Sequence, residues 1–528
     1  MNSFPAAWRN LSTRLLAYGD RLVTALTDHR KGERNAGLLL LAYLAVWTLY
    51  AVIEKSSQDI NFDMAEIVIW SRELAAGGPK HPQLAAWIAA LWFEVFPYTD
   101  WAFYLLAIAT ATAALWIVWR LSKYWLDPDK RAAGLALLTL VPFFNFLAIK
   151  YNVNAVLVPF WALTTYCFLL SYSTRNLWFA AIAGAGAAAC MLGKYWSIFL
   201  IAGLGLAAII DPRRREYFRS PAPWVTIAVG LLIIAPHLVW LYENHFSAFS
   251  YPLQMHGGHS ESFSARKVLL YLLGIVAYIA LPLLLFALAA RPSAAALRGF
   301  FWPKEDDRRL AALAFWLPIL LPIPVVLLLR SDLTPIWAIP AVSLLPVLLL
   351  ASKSIVLTRN AVAAIVLCAV ALPLAALALS PAFAIANHLR GVNHNSGQYR
   401  LLAQEIGKNW RAATDQPLRL LGSAHALADS AAFYLAGRPS TLNIFRPQRT
   451  PWVTGERIKR DGIVVFCLKD DQACMERLEA FARAAPESRR TEIAIATRYL
   501  GMEDAPISYA LVLILPGTLS TIPVTPLS

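Results

Sequence analysis

Long apolar stretches alternate with short polar segments along the chain from about residue 36 to residue 383. Each stretch holds about twenty residues, enough for an α-helix to cross a hydrocarbon core of roughly 30 Å. Lipid offers backbone groups no hydrogen-bonding partner, so helices are an economical spanning structure. We therefore predict about eleven transmembrane helices, near residues 36–53, 101–119, 132–149, 155–171, 177–192, 196–210, 223–241, 268–290, 310–329, 335–351 and 361–381.

The positions of Lys and Arg indicate the orientation of these helices. With the N-terminus in the cytoplasm, the cytoplasmic segments hold 22 of these residues and the outer loops hold 8. This excess is the positive-inside bias of membrane proteins. The stretch 84–97 is apolar but short, and counting it as a span would invert every later loop. We therefore interpret it as a juxtamembrane helix and predict that the C-terminus lies outside the cytoplasm.

The chain changes character after about residue 384, where it becomes polar. Helix-like segments at 397–413 and 471–484 alternate with strand-like segments at 418–422, 462–467, 492–499 and 509–515. Such alternation is typical of an α/β domain. The predicted organisation is a basic cytoplasmic segment (1–35), a membrane domain (36–383) and a small α/β domain outside (384–528).

Composition narrows the class of protein. Hydrophobic residues make up 58% of the chain and charged residues 15%, and the net charge is +14. The basic residues cluster in short loops between apolar stretches, which is unlike a nucleic-acid-binding surface, and we expect no nucleic-acid partner. Cys467 and Cys474 lie in the C-terminal part, where an oxidising compartment would allow them to form a disulfide.

Polar residues with chemical potential collect on the outer side of the predicted topology. Ionisable groups at membrane level are expensive to place there, so they point to function. The orientation rests on the Lys and Arg counts alone, so the location of the Asp, Glu, His, Asn and Tyr residues on the same side supports it independently. These groups are Asp59, Asp63, Glu66, His81, Lys150, Asn152, Asn154, Lys194, Tyr195, Asn244, His245, His256, His259, Arg330 and Asp332.

Four segments in this set resemble a known family, the family 39 glycosyltransferases of the GT-C class. That family includes protein O-mannosyltransferases, bacterial aminoarabinose transferases that modify lipid A, and rhizobial galacturonosyl transferases. Met64 replaces the second acid of the family's acidic pair, Gln83 replaces a proline, and Asn154 stands where an Asp is common. The resembling segments are Asp63-Met64-Ala65-Glu66 with His81-Pro82-Gln83-Leu84, Lys150 to Leu163, Leu192-Gly193-Lys194-Tyr195, and Pro335 to Pro340.

The resemblance implies a GT-C-like, polytopic α-helical membrane protein with a small extracytoplasmic α/β domain. It also implies an inverting transfer of a sugar from a polyprenyl-phosphate donor to an acceptor outside the cytoplasm. Asp63 is then the expected general base, because an acceptor hydroxyl must lose its proton. Glu66 would share its face if the segment is helical. The alternative for both is a solvated surface acid, or a helix cap in the case of Asp63.

The leaving phosphate of such a reaction needs fixed positive partners. Lys194 is the first candidate, followed by the other basic groups Lys150, His81, His256 and Arg330. The alternative is that these groups extend to the headgroups or bind anionic lipid. Asn152, Asn154, Tyr195 and Asn244 are candidates for sugar or acceptor binding, and capping of the next helix is equally compatible with the two Asn residues at 152 and 154.

The loop histidines His245, His256 and His259 raise the question of a metal. Their spacing is not that of a zincin, so a divalent metal has weak support, and we predict no required cofactor. The sequence leaves open a transporter or flippase for a lipid-linked sugar, a scaffold, and a protein O-glycosyltransferase. A lipid A, lipopolysaccharide or other envelope-lipid acceptor is favoured by resemblance to the bacterial members, which implies the bacterial inner membrane.

The topology gives a direct test. Alkaline phosphatase fused after Arg390 should be active, because eleven crossings from a cytoplasmic N-terminus leave this position outside. Reporter activity in whole cells measures the result. An inactive phosphatase together with an active cytoplasmic reporter at Arg390 would contradict both the topology and the outer-face site.

Overall fold

The computed structural model describes residues 6–249, 265–329, 332–390 and 398–518. Most of this part of the chain is helical, as the long apolar stretches predicted. The α-helices are Ala6–Thr27, Gly32–Glu54, Phe62–Glu73, Leu84–Val95, Asp100–Ser122, Pro128–Thr139, Val153–Thr174, Leu177–Gly193, Ile198–Ile210, Arg214–Arg219, Ala222–Glu243, Ala265–Ala290, Ala294–Phe301, Asp306–Leu320, Pro322–Leu329, Leu345–Leu350, Arg359–Leu389, Gln398–Ala413, His425–Phe433, Gly455–Asp461 and Gln472–Ala484. The strands are β1 (Leu420–Ser423), β2 (Ser440–Asn443), β3 (Ile463–Leu468), β4 (Arg489–Ile495), β5 (Arg498–Tyr499), β6 (Met502–Glu503) and β7 (Ile507–Ile514).

Seven helices in the described ranges are long and apolar enough to cross a membrane, or eight if one bent pair counts as a span. The eleven predicted stretches fall on these seven helices, on the bent pair and on three shorter apolar elements. The stretch 84–97 is a helix of only 12 residues, Leu84–Val95, as its short apolar run predicted. A polytopic helical membrane protein is therefore confirmed.

Two predicted spans are not straight helices. The prediction of one helix over 132–149 was wrong, because the chain bends by 82° between Pro128–Thr139 and Pro142–Ile149. Proline at position 142 has no backbone N–H to continue the helix and favours a new first turn instead. The stretch 335–351 is similarly divided into 3₁₀ turns, Pro335–Trp337 and Ile339–Leu344, and the short helix Leu345–Leu350.

The structure divides into two compact units, each described here by itself. The first contains residues 1–49, 76–84 and 105–378, and the second contains residues 50–75, 85–104 and 379–528. Within the first unit, the helices Leu177–Gly193 and Ala222–Glu243 pack closely. A Cβ atom on Gly184 would lie 2.3 Å from the carbonyl oxygen of Thr226, so this approach requires glycine. Small residues of this kind allow close helix packing in membranes.

The second unit is built on a five-stranded sheet with the order β2-β1-β3-β7-β4. The strand β1 pairs parallel with β2 and β3, whereas β7 pairs antiparallel with β3 and β4. Side chains alternate across β3, with Val464 and Phe466 in one apolar cluster and Val465 and Cys467 in the other. Burial of both faces explains why this strand is a continuous apolar run in the sequence.

The small C-terminal α/β domain is thus confirmed, and so is the pairing of Cys467 with Cys474. Their Cα atoms are 5.6 Å apart and the two sulfur atoms are bonded, across the end of β3 and the start of helix Gln472–Ala484. Within the resolved side chains, the remaining cysteines at 167, 190 and 368 are free thiols. The strand β2 and helix His425–Phe433 were not predicted, since neither carries a clear apolar period.

Candidate functional site

The segment Gly193-Lys194-Tyr195-Trp196, here the Lys-Tyr turn, connects two apolar helices of the first unit. Helix Leu177–Gly193 ends because Lys194 takes an extended conformation with φ −163°, and a 3₁₀ turn Tyr195–Ser197 follows. A Cβ atom on Gly193 would meet the Leu157 side chain at 2.9 Å. The glycine therefore lets this turn lie against the neighbouring helix Val153–Thr174, which carries Asn154.

The ammonium group of Lys194 contacts an amide group and an aromatic ring. Its Nζ donates a hydrogen bond to Oδ1 of Asn154 at 2.9 Å. It also lies 4.5 Å from the centroid of the Trp337 ring, which favours a cation over its face. Trp196 packs edge-on against the same ring at 4.7 Å. These two contacts orient the ammonium group.

The hydroxyl of Tyr195 is oriented by a histidine that sequence reasoning missed. The Tyr195 hydroxyl and His237 Nε2 are 3.0 Å apart, and His237 Nδ1 is 2.9 Å from the carbonyl oxygen of Ala76. His237 is 2% exposed. The available signal was an ionisable residue inside the apolar run 222–243, which is itself unusual. His237 connects the Lys-Tyr turn to the segment 76–84.

The segment 76–84 carries the His-Pro element and packs closely against its neighbours in the first unit. A Cβ atom on Gly77 would fall within 2.1 Å of the Trp240 ring, and one on Gly78 within 2.2 Å of Nε2 of Gln83. Leu84, at the end of the segment, lies 4.0 Å from the position of a Cβ atom on Gly193. This packing brings the chain that contains half-buried His81 alongside the Lys-Tyr turn.

The other polar candidates of the first unit have different environments. The side chain of Asn152 accepts hydrogen bonds from the backbone N–H groups of Asn154 and Ala155, so it caps helix Val153–Thr174. Lys150 is half-buried at the end of a 3₁₀ turn. Asn244 is exposed and donates to the carbonyl oxygen of Trp240 at 2.8 Å, a contact within its own helix end.

Three outer-loop candidates fall outside the described residues, namely His256, His259 and Arg330. The hypothesis of a phosphate contact by His256 or Arg330 therefore stays a prediction. His245 is exposed. Across the ranges that the structure describes, no group of three or more His, Cys, Asp or Glu residues is placed to hold a metal ion.

Asp63 and Glu66 belong to the second unit, on the helix Phe62–Glu73, here the Asp63 helix. The side chain of Asn61 caps this helix by accepting a hydrogen bond from the Asp63 N–H at 3.0 Å. Asp63 lies in the first turn, where the helix dipole favours a negative charge. Glu66 is one turn further on and is 4% exposed. The segment is thus helical, as the shared face of these two acids requires.

The C-terminal end of the Asp63 helix is fastened to the sheet of the second unit. The guanidinium of Arg72 donates to the backbone carbonyl oxygens of Ala432 and Pro439. Glu73 accepts a hydrogen bond from the Ser440 hydroxyl, and Ile69 is buried in the apolar cluster on one face of the sheet. Burial lowers the pKa of Arg72 to about 10. Because the guanidinium is buried, these carbonyl oxygens replace water as its hydrogen-bond acceptors.

The loop that leads into the Asp63 helix is also buried and hydrogen-bonded. Asp59 is 2% exposed, and its Oδ2 accepts a hydrogen bond from the Tyr399 N–H at 2.7 Å. The Ile60 N–H donates to the Tyr434 hydroxyl at 2.9 Å. Burial raises the pKa of Asp59 to about 6. Two residues of the loop before the helix, Asp59 and Ile60, and the last two residues of the helix are thus all held by the C-terminal part of the chain.

Residues 80–240 match the family model described as "Dolichyl-phosphate-mannose-protein mannosyltransferase". Two proteins of Rhizobium johnstonii are similar to this chain. The lipopolysaccharide core galacturonosyltransferase RgtB is 27% identical over 58% of this chain and 63% of its own length. The lipid A galacturonosyltransferase RgtD is 22% identical over 40% of this chain and 44% of its own length. The chain thus matches less than two thirds of the length of these curated relatives.

Among solved structures, the chain is similar to ArnT from Cupriavidus metallidurans bound to undecaprenyl phosphate. The TM-score is 0.61 with 13% sequence identity, and the match covers 90% of this chain and 97% of that one. At this identity the likeness establishes the fold. It confirms the architecture that the outer-loop segments predicted. Together with the family match, it confirms the resemblance to the GT-C glycosyltransferases that those segments indicated.

The raised pKa of Asp59 predicts a pH dependence of stability. A carboxyl whose pKa is higher in the folded state stabilises the fold at low pH, and this contribution is lost as pH rises from about 4 through about 6. We expect Asp59→Asn to remove this part of the pH dependence, on the order of 2 kcal/mol, because the amide keeps an acceptor for the Tyr399 N–H and cannot ionise.

Thermal unfolding of the purified protein at pH 5 and pH 7.5 measures this effect. The melting temperature of the variant, relative to wild type, should be higher at pH 7.5 than at pH 5. Asp415→Asn, a change at an exposed acid of the same unit, is the control. Equal pH dependence in wild type and the Asp59 variant would contradict the prediction.

Proposed function

We propose that the chain is a glycosyltransferase of the GT-C class, which its fold and its similarities favour, and that it transfers a sugar from a polyprenyl-phosphate donor. The acceptor is a lipid outside the cytoplasm, with lipid A or lipopolysaccharide as the first candidates. The protein would lie in the bacterial inner membrane, with its N-terminus in the cytoplasm and its C-terminal α/β domain in the periplasm. Each relative named above acts, by its name, on lipid A or the lipopolysaccharide core.

The observation that carries this proposal is the positioned ammonium group of Lys194. When the bond between the sugar and the carrier phosphate breaks, new negative charge develops on a phosphate oxygen. A cation fixed before the reaction stabilises that charge without a cost of reorganisation. Lys194 has this character, because Asn154 and Trp337 orient its ammonium group. The solved ArnT structure is bound to undecaprenyl phosphate, a carrier lipid of this kind.

Asp63 is the proposed general base of a single inverting displacement. The acceptor hydroxyl oxygen forms a bond to the anomeric carbon while the bond from that carbon to the phosphate oxygen breaks. The hydroxyl proton passes to the Asp63 carboxylate, and the leaving phosphate keeps the electron pair. Glu66 is the proposed neighbour that maintains the charge and orientation of the base, from its buried position one turn along the Asp63 helix.

The acceptor distinguishes this proposal from a second candidate. The matching family model describes protein mannosyltransferases, which favours a protein hydroxyl as the alternative acceptor. Mass spectrometry of lipid A, lipopolysaccharide and envelope glycoproteins from a deletion strain would separate the two. Loss of a sugar from the lipid fraction supports the proposal, and loss from glycoproteins alone supports the alternative. A polyprenyl-phosphate galacturonic acid is the first donor to test in vitro, given the names of the relatives.

Asp63→Asn should lower the rate of transfer by roughly a hundredfold to ten-thousandfold, the contribution of a general base. The amide has nearly the shape of the carboxylate but does not accept the proton. Turnover in membranes that contain equal amounts of protein measures the change. Glu94→Gln, at an exposed acid of the helix Leu84–Val95, should transfer at the normal rate. Normal turnover by the Asp63 variant would remove this residue from the proposed chemistry.

Lys194→Ala should lower turnover by about a hundredfold or more, the scale observed when one charge-stabilising donor is lost. Lys194→Arg should keep part of the activity, because the charge survives while the geometry toward Asn154 changes. Turnover at saturating donor measures both variants. Lys123→Ala, at an exposed lysine, serves as the control. If both Lys194 variants turn over near the normal rate, the phosphate contact must be sought at Lys150 or His81.

A further inference from the structure

The second unit contains a cavity of about 480 Å³ that the proposed chemistry does not use. Its volume lies within the roughly 300–1,000 Å³ that is typical of small-molecule sites. The wall combines aromatic rings with polar side chains from four separate parts of the sequence. Its principal residues are Gln58, Tyr98, Thr99, Asp100, Trp101 and Arg400.

The cavity adjoins the segment that leads into the Asp63 helix. Tyr434 lines the cavity, and its hydroxyl accepts the hydrogen bond from the Ile60 N–H at 2.9 Å. Gln58 lines the cavity from the same loop, five residues before Asp63. A molecule bound here would therefore contact the chain immediately before the proposed base.

The charged groups in the wall are paired, which bears on the kind of ligand. Arg400 forms an ion pair with Asp100. Lys55 forms an ion pair with Glu54 at 3.1 Å. The wall therefore presents fixed hydrogen-bonding groups with little net charge. A phosphate would need uncompensated cations, whereas a ligand rich in hydroxyl groups needs donors and acceptors in fixed positions.

The aromatic and hydroxyl groups suit a saccharide. Trp101 is 43% exposed, so a face or edge of its ring is accessible to a ligand. Tyr98 and Tyr434 add further rings, and aromatic rings offer large apolar surfaces to the C–H faces of a sugar. The Thr99 hydroxyl is buried and finds no hydrogen-bond partner among the residues that the structure describes. Such an unmatched group is costly unless a ligand or water satisfies it.

We propose that this cavity binds a saccharide unit of the glycolipid acceptor, beside the segment that carries the base. The proposal rests on the proposed function for the identity of the acceptor. Saccharide hydroxyls would pair with the Thr99 hydroxyl and with the Asp100–Arg400 pair, and the sugar ring would pack on Trp101. The subsite would then select acceptors that carry a core saccharide over acceptors that end at the lipid.

Two variants test the subsite without disturbing the candidate catalytic groups. Trp101→Ala removes the stacking surface, and Thr99→Val removes the hydroxyl while keeping the shape of the side chain. The probe is the delipidated core oligosaccharide released from lipopolysaccharide, with binding to the full chain in nanodiscs followed by saturation-transfer NMR. We expect each variant to weaken binding by roughly five- to tenfold, the value of one such contact. Trp178→Ala, at a tryptophan that is 79% exposed in the first unit, should bind as wild type does.

Transfer assays with two acceptors complete the test. The variants should raise KM for lipid A that carries the core saccharide and leave KM for lipid A alone unchanged. Oligosaccharide binding by both variants at wild-type strength would overturn the proposal, and so would an equal loss on both acceptors, as expected if Trp101 is only a membrane-interface residue. Binding that is lost in the variants, in a protein without transfer activity, would support the subsite while rejecting the proposed function.

Discussion

The absence of water in the hydrocarbon core is the constraint on which the rest of this structure depends. A backbone group without a partner costs several kcal/mol there, so the chain crosses as helices and leaves irregular segments for the loops. The Lys-Tyr turn and the bent segment 128–149 are places where the helix stops. At each break, backbone N–H and C=O groups that a continuous helix would pair with each other are available for other contacts. The Lys-Tyr turn of the first unit therefore lies where a helix ends, whereas His237 reaches it from within the helix Ala222–Glu243.

The second unit fixes the position of the short Asp63 helix, in which eight residues are buried. The Asp63 helix has 12 residues, which is marginal for an isolated helix in water. Arg72 binds backbone carbonyl groups of helix His425–Phe433 and of the loop before β2, Glu73 binds Ser440 of β2, and Ile69 contributes to the apolar cluster. These contacts restrict the helix at one end. The cap from Asn61 and the buried loop at Asp59 restrict it at the other.

The sequence predicted the elements better than the contacts between them. Apolar period and length were sufficient for the long helices and for β3 and β7, because these elements are apolar over most of their length. The strand β2, Ser-Thr-Leu-Asn, gave no such signal, since its parallel partner β1 determines its conformation. The bend at Pro142 was predicted incorrectly because apolar length alone suggested one span.

In the candidate site, too, the sequence indicated individual residues better than the contacts between them. The residue types near Lys194 could be singled out because charge in an outer turn is conspicuous. The partner Asn154 is 40 residues away, and Trp337 is farther still, so their contacts with Lys194 depend on tertiary packing that no local pattern encodes. His237 was hidden by its apolar neighbours. Arg72 was not among the candidate residues, and it holds a helix to two distant carbonyl groups.

The second unit combines early and late parts of the chain, which affects the order of events during synthesis. Residues 50–75 and 85–104 leave the ribosome early, whereas the sheet to which the Asp63 helix is fastened begins only at Leu420. At about 5–20 residues per second, the helix waits on the order of tens of seconds for its partners. Until then the side chain of Ile69 and the guanidinium of Arg72 lack the partners that bury them. The nascent protein therefore passes through a stage in which the Asp63 helix has been made but is not yet assembled, and in which this helix is open to proteases and chaperones.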